Sequence, residues 1–137
     1  MKIKPKTSSF AKEVASGELE KRRFPVRYGR GGSLLVNQKR INVRGCNYDN
    51  DWARRINALG GWDKINPEGF DYLICVSFDG KHEDVRFFVF TKEEVLKFST
   101  TPLAGRESGL KNLELFRNNE KSDRIVKSSE NKWDKLT

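Results

Sequence analysis

The sequence predicts one α+β domain, a central β-sheet flanked by helices, and three stretches carry that expectation. Residues 33–46, SLLVNQKRINVRGC, read as a short apolar strand, a polar turn and a second strand in which Ile41 and Val43 alternate with Asn42 and Arg44. Residues 70–78 form a nearly continuous apolar run, the pattern of a strand covered on both faces, and residues 85–90 pair back to it from a loop opened by Asp79-Gly80. Helical signals then flank these strands, near residues 8–21 and again after Thr91. At 137 residues, positions 1–137 make a single domain with one core of ordinary size.

Composition narrows the function. Hydrophobic residues make up 36% and charged residues 34% of the chain, so a wide polar surface is expected. The 27 basic residues outnumber the 19 acidic ones for a net charge of +8, which favours a polyanionic partner, because Lys and Arg that neutralise phosphates release condensed counterions. No apolar stretch approaches the roughly 18 residues a spanning helix needs, and MKIKPKTSSF lacks the apolar centre of a signal peptide. A soluble, cytoplasmic protein without a membrane partner is expected. Cys46 and Cys75 both fall in apolar strands and read as two buried, reduced thiols. Zinc is excluded as a reading, since His82 is the one histidine and no short ligand spacing is present.

In chain order, residues 1–7 carry Lys2, Lys4 and Lys6 around Pro5 and read as a mobile basic arm, either lying along phosphates or simply solubilising. Ser8 or Ser9 can cap a helix to about Lys21, with Phe10, Val14 and Leu19 as its apolar stripe and Gly17 as a weak point. Glu13, Glu18 and Glu20 read as its solvated face. Residues 21–32, KRRFPVRYGRGG, interleave Arg22, Arg23, Arg27 and Arg30 with Phe24 and Tyr28 and end in a glycine-rich turn. That mixture suits a phosphate-contacting loop, with Phe24 and Val26 turned inward as a short edge strand.

Lys39, Arg40 and Arg44 add basic side chains to the central hairpin, and Arg54 with Arg55 form a second cluster after it. Residues 47–66 fit a helix through Trp52, Ile56 and Leu59 ended by Gly60-Gly61, and fit a strand equally well. His82 lies in the Asp79-Gly80 loop with no partner for base catalysis and reads as an exposed turn residue. Thr91 and Glu94 form a capping-box pattern ahead of Val95, Leu96 and Phe98. Residues 99–109 read as a surface loop, 110–116 as a late strand, and 118–132 as a flexible polar stretch before Trp133 and Leu136 anchor the end.

The hairpin, the strand pair of residues 70–95 and the terminal NKWDKL together resemble the PD-(D/E)XK nucleases, the restriction-endonuclease-like fold. The resemblance covers about two thirds of the chain in outline and implies a core with a mixed central β-sheet flanked by helices. In that family an Asp before one strand, and an acidic residue and a Lys one residue apart on the next, form the catalytic motif. The matching positions here hold Ser33, Asn42 and Arg44, so all three depart from the pattern. The family's two carboxylates hold a divalent ion that activates water, whereas a hydroxyl and an amide offer neutral oxygens only. Arg44 stays protonated where a Lys can be tuned, yet forks well onto phosphate.

The resemblance thus implies a nucleic-acid-binding protein, DNA being favoured over RNA, that does not cleave or serves as a non-catalytic subunit, with no cofactor. Its contacts are expected from Arg22, Arg23, Arg27, Arg30, Lys39, Arg40, Arg44, Arg54 and Arg55. One alternative is an active DNA endonuclease requiring Mg²⁺, its ligands moved to Glu13, Glu18, Asp49 or Asp51. A second is a protein-interaction module on the same fold, and homodimers or larger assemblies suit the family.

Overall fold

The computed structural model describes residues 6–29, 33–101 and 109–137. The elements are α1 (Thr7–Lys21), β1 (Val26–Tyr28), β2 (Leu34–Val36), β3 (Lys39–Asn47), α2 (Asp51–Arg55), β4 (Ala58–Ile65), β5 (Tyr72–Phe78), β6 (Val85–Thr91), α3 (Lys92–Phe98), β7 (Lys111–Phe116) and α4 (Glu120–Ser129), with single 3₁₀ turns at Pro67–Gly69 and Trp133–Leu136. The fold is α+β. Its central sheet has five strands in the order β1-β2-β3-β5-β6, mixed because β3 and β5 run parallel while the other neighbours are antiparallel. The chain crosses from β3 to β5 through α2 and β4, and β4 pairs with β7 as a second, two-stranded sheet.

Period-two alternation divides the core between the faces of the large sheet. On one face Leu34, Val36, Ile41, Val43, Ile74, Val76 and Phe78 pack under α1 and the C-terminal Trp133 and Leu136. On the other, Cys46, Leu73, Cys75, Phe88 and Phe90 meet β4, β7, α3 and α4 through Leu59, Trp62, Leu113, Leu115, Val95 and Ile125. β5, apolar on both sides, is the strand shared by both cores. Cys46 and Cys75 are buried and unpaired with each other.

Several local features follow from chemistry visible in the chain. Asn37 and Gln38, at φ 51° and 67°, make a two-residue turn whose positive angles match the twist of a tight hairpin. Both halves of the Thr91 capping box form, Glu94 N–H to Thr91 Oγ1 at 3.1 Å and Thr91 N–H to Glu94 Oε1 at 3.0 Å. α1 starts two to three residues earlier than expected, with Lys6 at its cap in place of Ser8 or Ser9 and no side-chain cap bond. Its fully buried stripe is Ala11, Ala15 and Leu19, while Phe10 and Val14 sit half-buried at the margin. Gly17 points where an added Cβ would meet nothing within 4 Å, so the helix carries it on an open face.

Three expectations change. Residues 118–132, expected to be flexible, contain α4, which buries Ser122, Ile125 and Ser129. Polarity conceals this helix because its inward serines are satisfied by hydrogen bonds: Ser122 Oγ accepts from Phe116 N–H at 2.9 Å, and Ser129 Oγ donates to Ile125 O at 2.6 Å. The segment at 47–66 is neither all helix nor all strand, since five residues of α2 give way to β4, into which Gly60 and Gly61 fall. His82 is half-buried, its ring stacked on Phe10 at 4.1 Å and edge-on to Phe78 at 4.9 Å. Of the expected arm, residues 1–5 lie outside the described residues, and Thr7 already belongs to α1. Among the described residues no helix is long and apolar enough to cross a membrane.

Candidate functional site

The two strands of the hairpin form a fork. β2 is hydrogen-bonded to β3 only through Leu34↔Ile41, Leu35↔Arg40 and Val36↔Lys39, whereas β3 continues beside β5 as far as Asn47. Past Leu34 the outer edge of β3 is therefore released from β2. Ser33 stands where the two part, held by Gly29, whose N–H donates to the Ser33 carbonyl at 2.8 Å. Ile41 and Val43 turn into the core under α1, which leaves Asn42 and Arg44 half-buried on the opposite face. The fork opens on a groove of about 550 Å³ lined by Ser8, Lys12, Ser33, Arg40, Asn42 and Arg44 among others.

α1 reaches this groove because Gly45 lets it. A Cβ at that position would sit 2.7 Å from the Ala11 Cβ and 2.9 Å from the Thr7 carbonyl oxygen, so a side chain there would push the helix off β3. With hydrogen at position 45, the first two turns of α1 bring Ser8 and Lys12 to the groove. The sequence pattern marks neither as a site residue. The signal that could have found Lys12 is its place next to Ala11 in a helix whose buried stripe is alanine, opposite a strand glycine.

Charge in the groove is one-sided, since no Asp or Glu is among the described residues that line it. Arg44 donates from Nη2 to the Asp63 carbonyl, and that nitrogen lies 4.0 Å from the Asp63 carboxylate. Arg40 Nε is 3.8 Å from Asp71, whose carboxylate also accepts the Arg40 backbone N–H at 2.8 Å. Exposed ion pairs this long contribute about 0–1 kcal/mol, so the two carboxylates hold the guanidinium groups weakly and the Asp63 carbonyl is the main anchor of Arg44. Burial pushes the Cys75 thiol well up, against a smaller downward pull from Arg44, and burial likewise raises Cys46 although the Gly61 N–H opposes it. Both are neutral thiols, unsuited to nucleophilic work at neutral pH.

Of the other basic residues singled out from sequence, Arg27 pairs opposite Leu35 and so shares the face of Arg40, Asn42 and Arg44. Lys39 pairs opposite Val36 and belongs to the other face. Arg22 lies there too, its guanidinium 5.1 Å over the Trp133 ring and 3.5 Å from Glu18. Arg23 is exposed at φ 67° just after α1. Arg54 and Arg55 are exposed on α2, Arg54 being 4.0 Å from Asp49. Arg30 lies outside the described residues. The fold thus gathers Arg27, Arg40 and Arg44 on one face of the sheet and disperses the rest.

The carboxylates weighed as moved metal ligands are not brought together. Glu13 lines a different groove beside Tyr28, Glu18 faces Arg22, Asp49 accepts the Gly80 N–H at 2.8 Å, and Asp51 is exposed in the first turn of α2. Among the described residues no group of three or more His, Cys, Asp or Glu is placed to hold a metal ion.

A second groove, of about 420 Å³, opens on the outer face of the β4–β7 sheet, with Trp52, Asp63, Asn112 and Glu114 in its lining. Asp63 belongs to its wall and also receives Arg44, so the two grooves share a rim. Compared with protein-family models, curated proteins and solved structures, the chain matches none of them.

Proposed function

We propose that this protein binds nucleic acid, DNA in preference to RNA, on a restriction-endonuclease-like scaffold, and that it holds phosphates in the fork groove without cleaving them. The supporting observation is the groove lining: three cations, Lys12, Arg40 and Arg44, alternate with the neutral oxygens and amide of Ser8, Ser33 and Asn42, with no carboxylate among the described lining residues. Such a surface attracts a polyanion and supplies both point charges and forked donors to its oxygens. A divalent ion, by contrast, wants at least one or two anionic oxygens, and Ser33 and Asn42 provide none. On this reading the protein acts alone or as the non-cleaving subunit of an assembly.

The test is fluorescence anisotropy of a labelled duplex titrated with protein over a range of salt. Binding that weakens steeply with salt is expected. Lys12→Ala, Arg40→Ala and Arg44→Ala each take one cation away from the phosphates, and each should flatten the slope of log K against log salt by about 0.9. Absence of binding at low salt, or slopes that none of the three substitutions changes, would refute the reading. Plasmid incubated with Mg²⁺ or Mn²⁺ should remain supercoiled. Metal-dependent nicking that disappears in Glu18→Ala or Asp49→Ala would make the protein an endonuclease instead.

A further inference from the structure

We infer that Trp52 is a platform on which one unpaired nucleobase stacks, and that the groove beside it is matched to guanine; this rests on the nucleic-acid reading above. Trp52 is the exposed member of the three tryptophans, 44% accessible against 3% for Trp62 and 4% for Trp133. Its six-membered ring lies against Gly61, where any Cβ would collide with it. The strand therefore has a bare patch of backbone at that point and the ring is seated on it, which fixes a large aromatic surface at the rim of an open groove. A ring fixed in advance loses little freedom when a base stacks on it.

The polar groups around the ring define an edge. β4 and β7 pair Gly61 with Glu114, so the Glu114 side chain stands beside the seat of Trp52 on the outer face. Asp63 offers a second carboxylate, and both accept hydrogen bonds. Asn112 takes the Lys64 N–H on its Oδ1 at 3.3 Å, which turns its Nδ2 into the donating end. Guanine presents N1–H and N2–H donors beside the O6 acceptor, and so answers carboxylates next to an amide donor. Thymine instead flanks its single N–H with two carbonyl oxygens, which two carboxylates would repel.

The same charges set direction. Asp63 and Glu114 disfavour a phosphate in the Trp52 groove, while Arg44 attracts one in the fork, and Arg44 itself reaches Asp63 at the wall of the Trp52 groove. A single strand with a phosphate at Arg44 can thus place a neighbouring base on Trp52.

The experiment uses the full chain and short single-stranded thymine tracts, one with a central guanine and one without. Intrinsic fluorescence should be quenched on binding, because Trp62 and Trp133 are shielded and Trp52 is not. The guanine-bearing strand should bind more tightly than all-thymine, Trp52→Ala should weaken it by roughly fivefold or more, and Trp52→Phe should keep part of the affinity. Glu114→Gln should erase the guanine preference without changing the salt slope. Far-ultraviolet circular dichroism checks that each variant is folded, and Trp52→Phe serves as the reading if Trp52→Ala is not. Equal affinity for both strands, or undiminished affinity and no quenching difference in the Trp52 variants, would overturn the inference. If Arg44→Ala still weakens binding in that event, the phosphate groove stands and only the stacking site falls. Failure of the wild type to bind any oligonucleotide removes both.

Discussion

Gly45→Ala tests whether the spacing between α1 and β3 builds the fork groove. A methyl at position 45 would stand 2.7 Å from the Ala11 Cβ and 2.9 Å from the Thr7 carbonyl oxygen, both well inside ordinary contact. Neither neighbour is the end of a flexible side chain, so relief requires α1 to move as a body. Overpacking of this kind costs about 1–3 kcal/mol. Replacing a strand glycine by alanine returns roughly 0.5–1 kcal/mol through the unfolded chain. At mid-range the clash wins, and a net loss of about 1 kcal/mol, about 2.5 kcal/mol at most, is expected, read as a lower urea midpoint at an unchanged m-value. Because Ser8 and Lys12 travel with α1, duplex affinity should also fall in the fully folded variant, with a salt slope flattened toward that of Lys12→Ala. A Gly45→Ala protein as stable as the wild type would show that close approach at this glycine does not set the helix position, and the account of how Lys12 reaches the groove would fail.

Two further outcomes concern the frame around the site. Lys135 Nζ donates to Glu94 Oε1 and Oε2 at 2.8 and 3.0 Å and to the carbonyls of Val89 and Ser128 at 2.9 and 2.7 Å, so Lys135→Met should cost about 2–3 kcal/mol, roughly 10 °C in Tm, and a shift under about 1 °C would contradict it. Tyr48 is pushed from 10.0 up to about 12 by desolvation, by the 2.7 Å bond from its hydroxyl to Asp84 and by the Asp84, Asp79 and Asp49 charges. Folding thus favours the neutral phenol, and this stabilisation is complete below the unfolded value of 10.0 and lost as pH rises toward 12. The phenolate absorbance missing in Tyr48→Phe should have its midpoint near 12 and should move down in Asp84→Asn, whereas a midpoint at or below 10 would refute the environment described.

What the sequence made legible is what local chemistry encodes. The alternation of Ile41 and Val43 with Asn42 and Arg44 sorts the two faces of β3, and the Thr91 box fixes the start of α3, because each needs only neighbours a few residues away. What stayed hidden depends on partners distant in the chain. Gly60 and Gly61 read as a helix stop, but they lie in β4 with the rings of Trp62 and Trp52 over them, a reason no local pattern carries. α4 hides behind serines whose hydroxyls are satisfied only once the helix exists. Similarly, Arg27, Lys39 and Arg40 all read as phosphate contacts in sequence, yet strand register sends Arg27 and Arg40 to one face and Lys39 to the other.

The placement of the polar site follows from how little of the second face the small sheet covers. Trp62 and Leu59 of β4 pack on the side that carries Cys46 and Cys75, so this part of β3 and β5 is dry. Two and four residues earlier on β3, Arg44 and Asn42 lie beyond that cover, with Asp63 at its rim. Arg44 is therefore tied to the edge of the small sheet by the Asp63 carbonyl, with the Asp63 carboxylate 4.0 Å away. Asp63 can make this contact because it lies on β4, the strand that closes the core, and lines the Trp52 groove at the point where Arg44 reaches across from the fork.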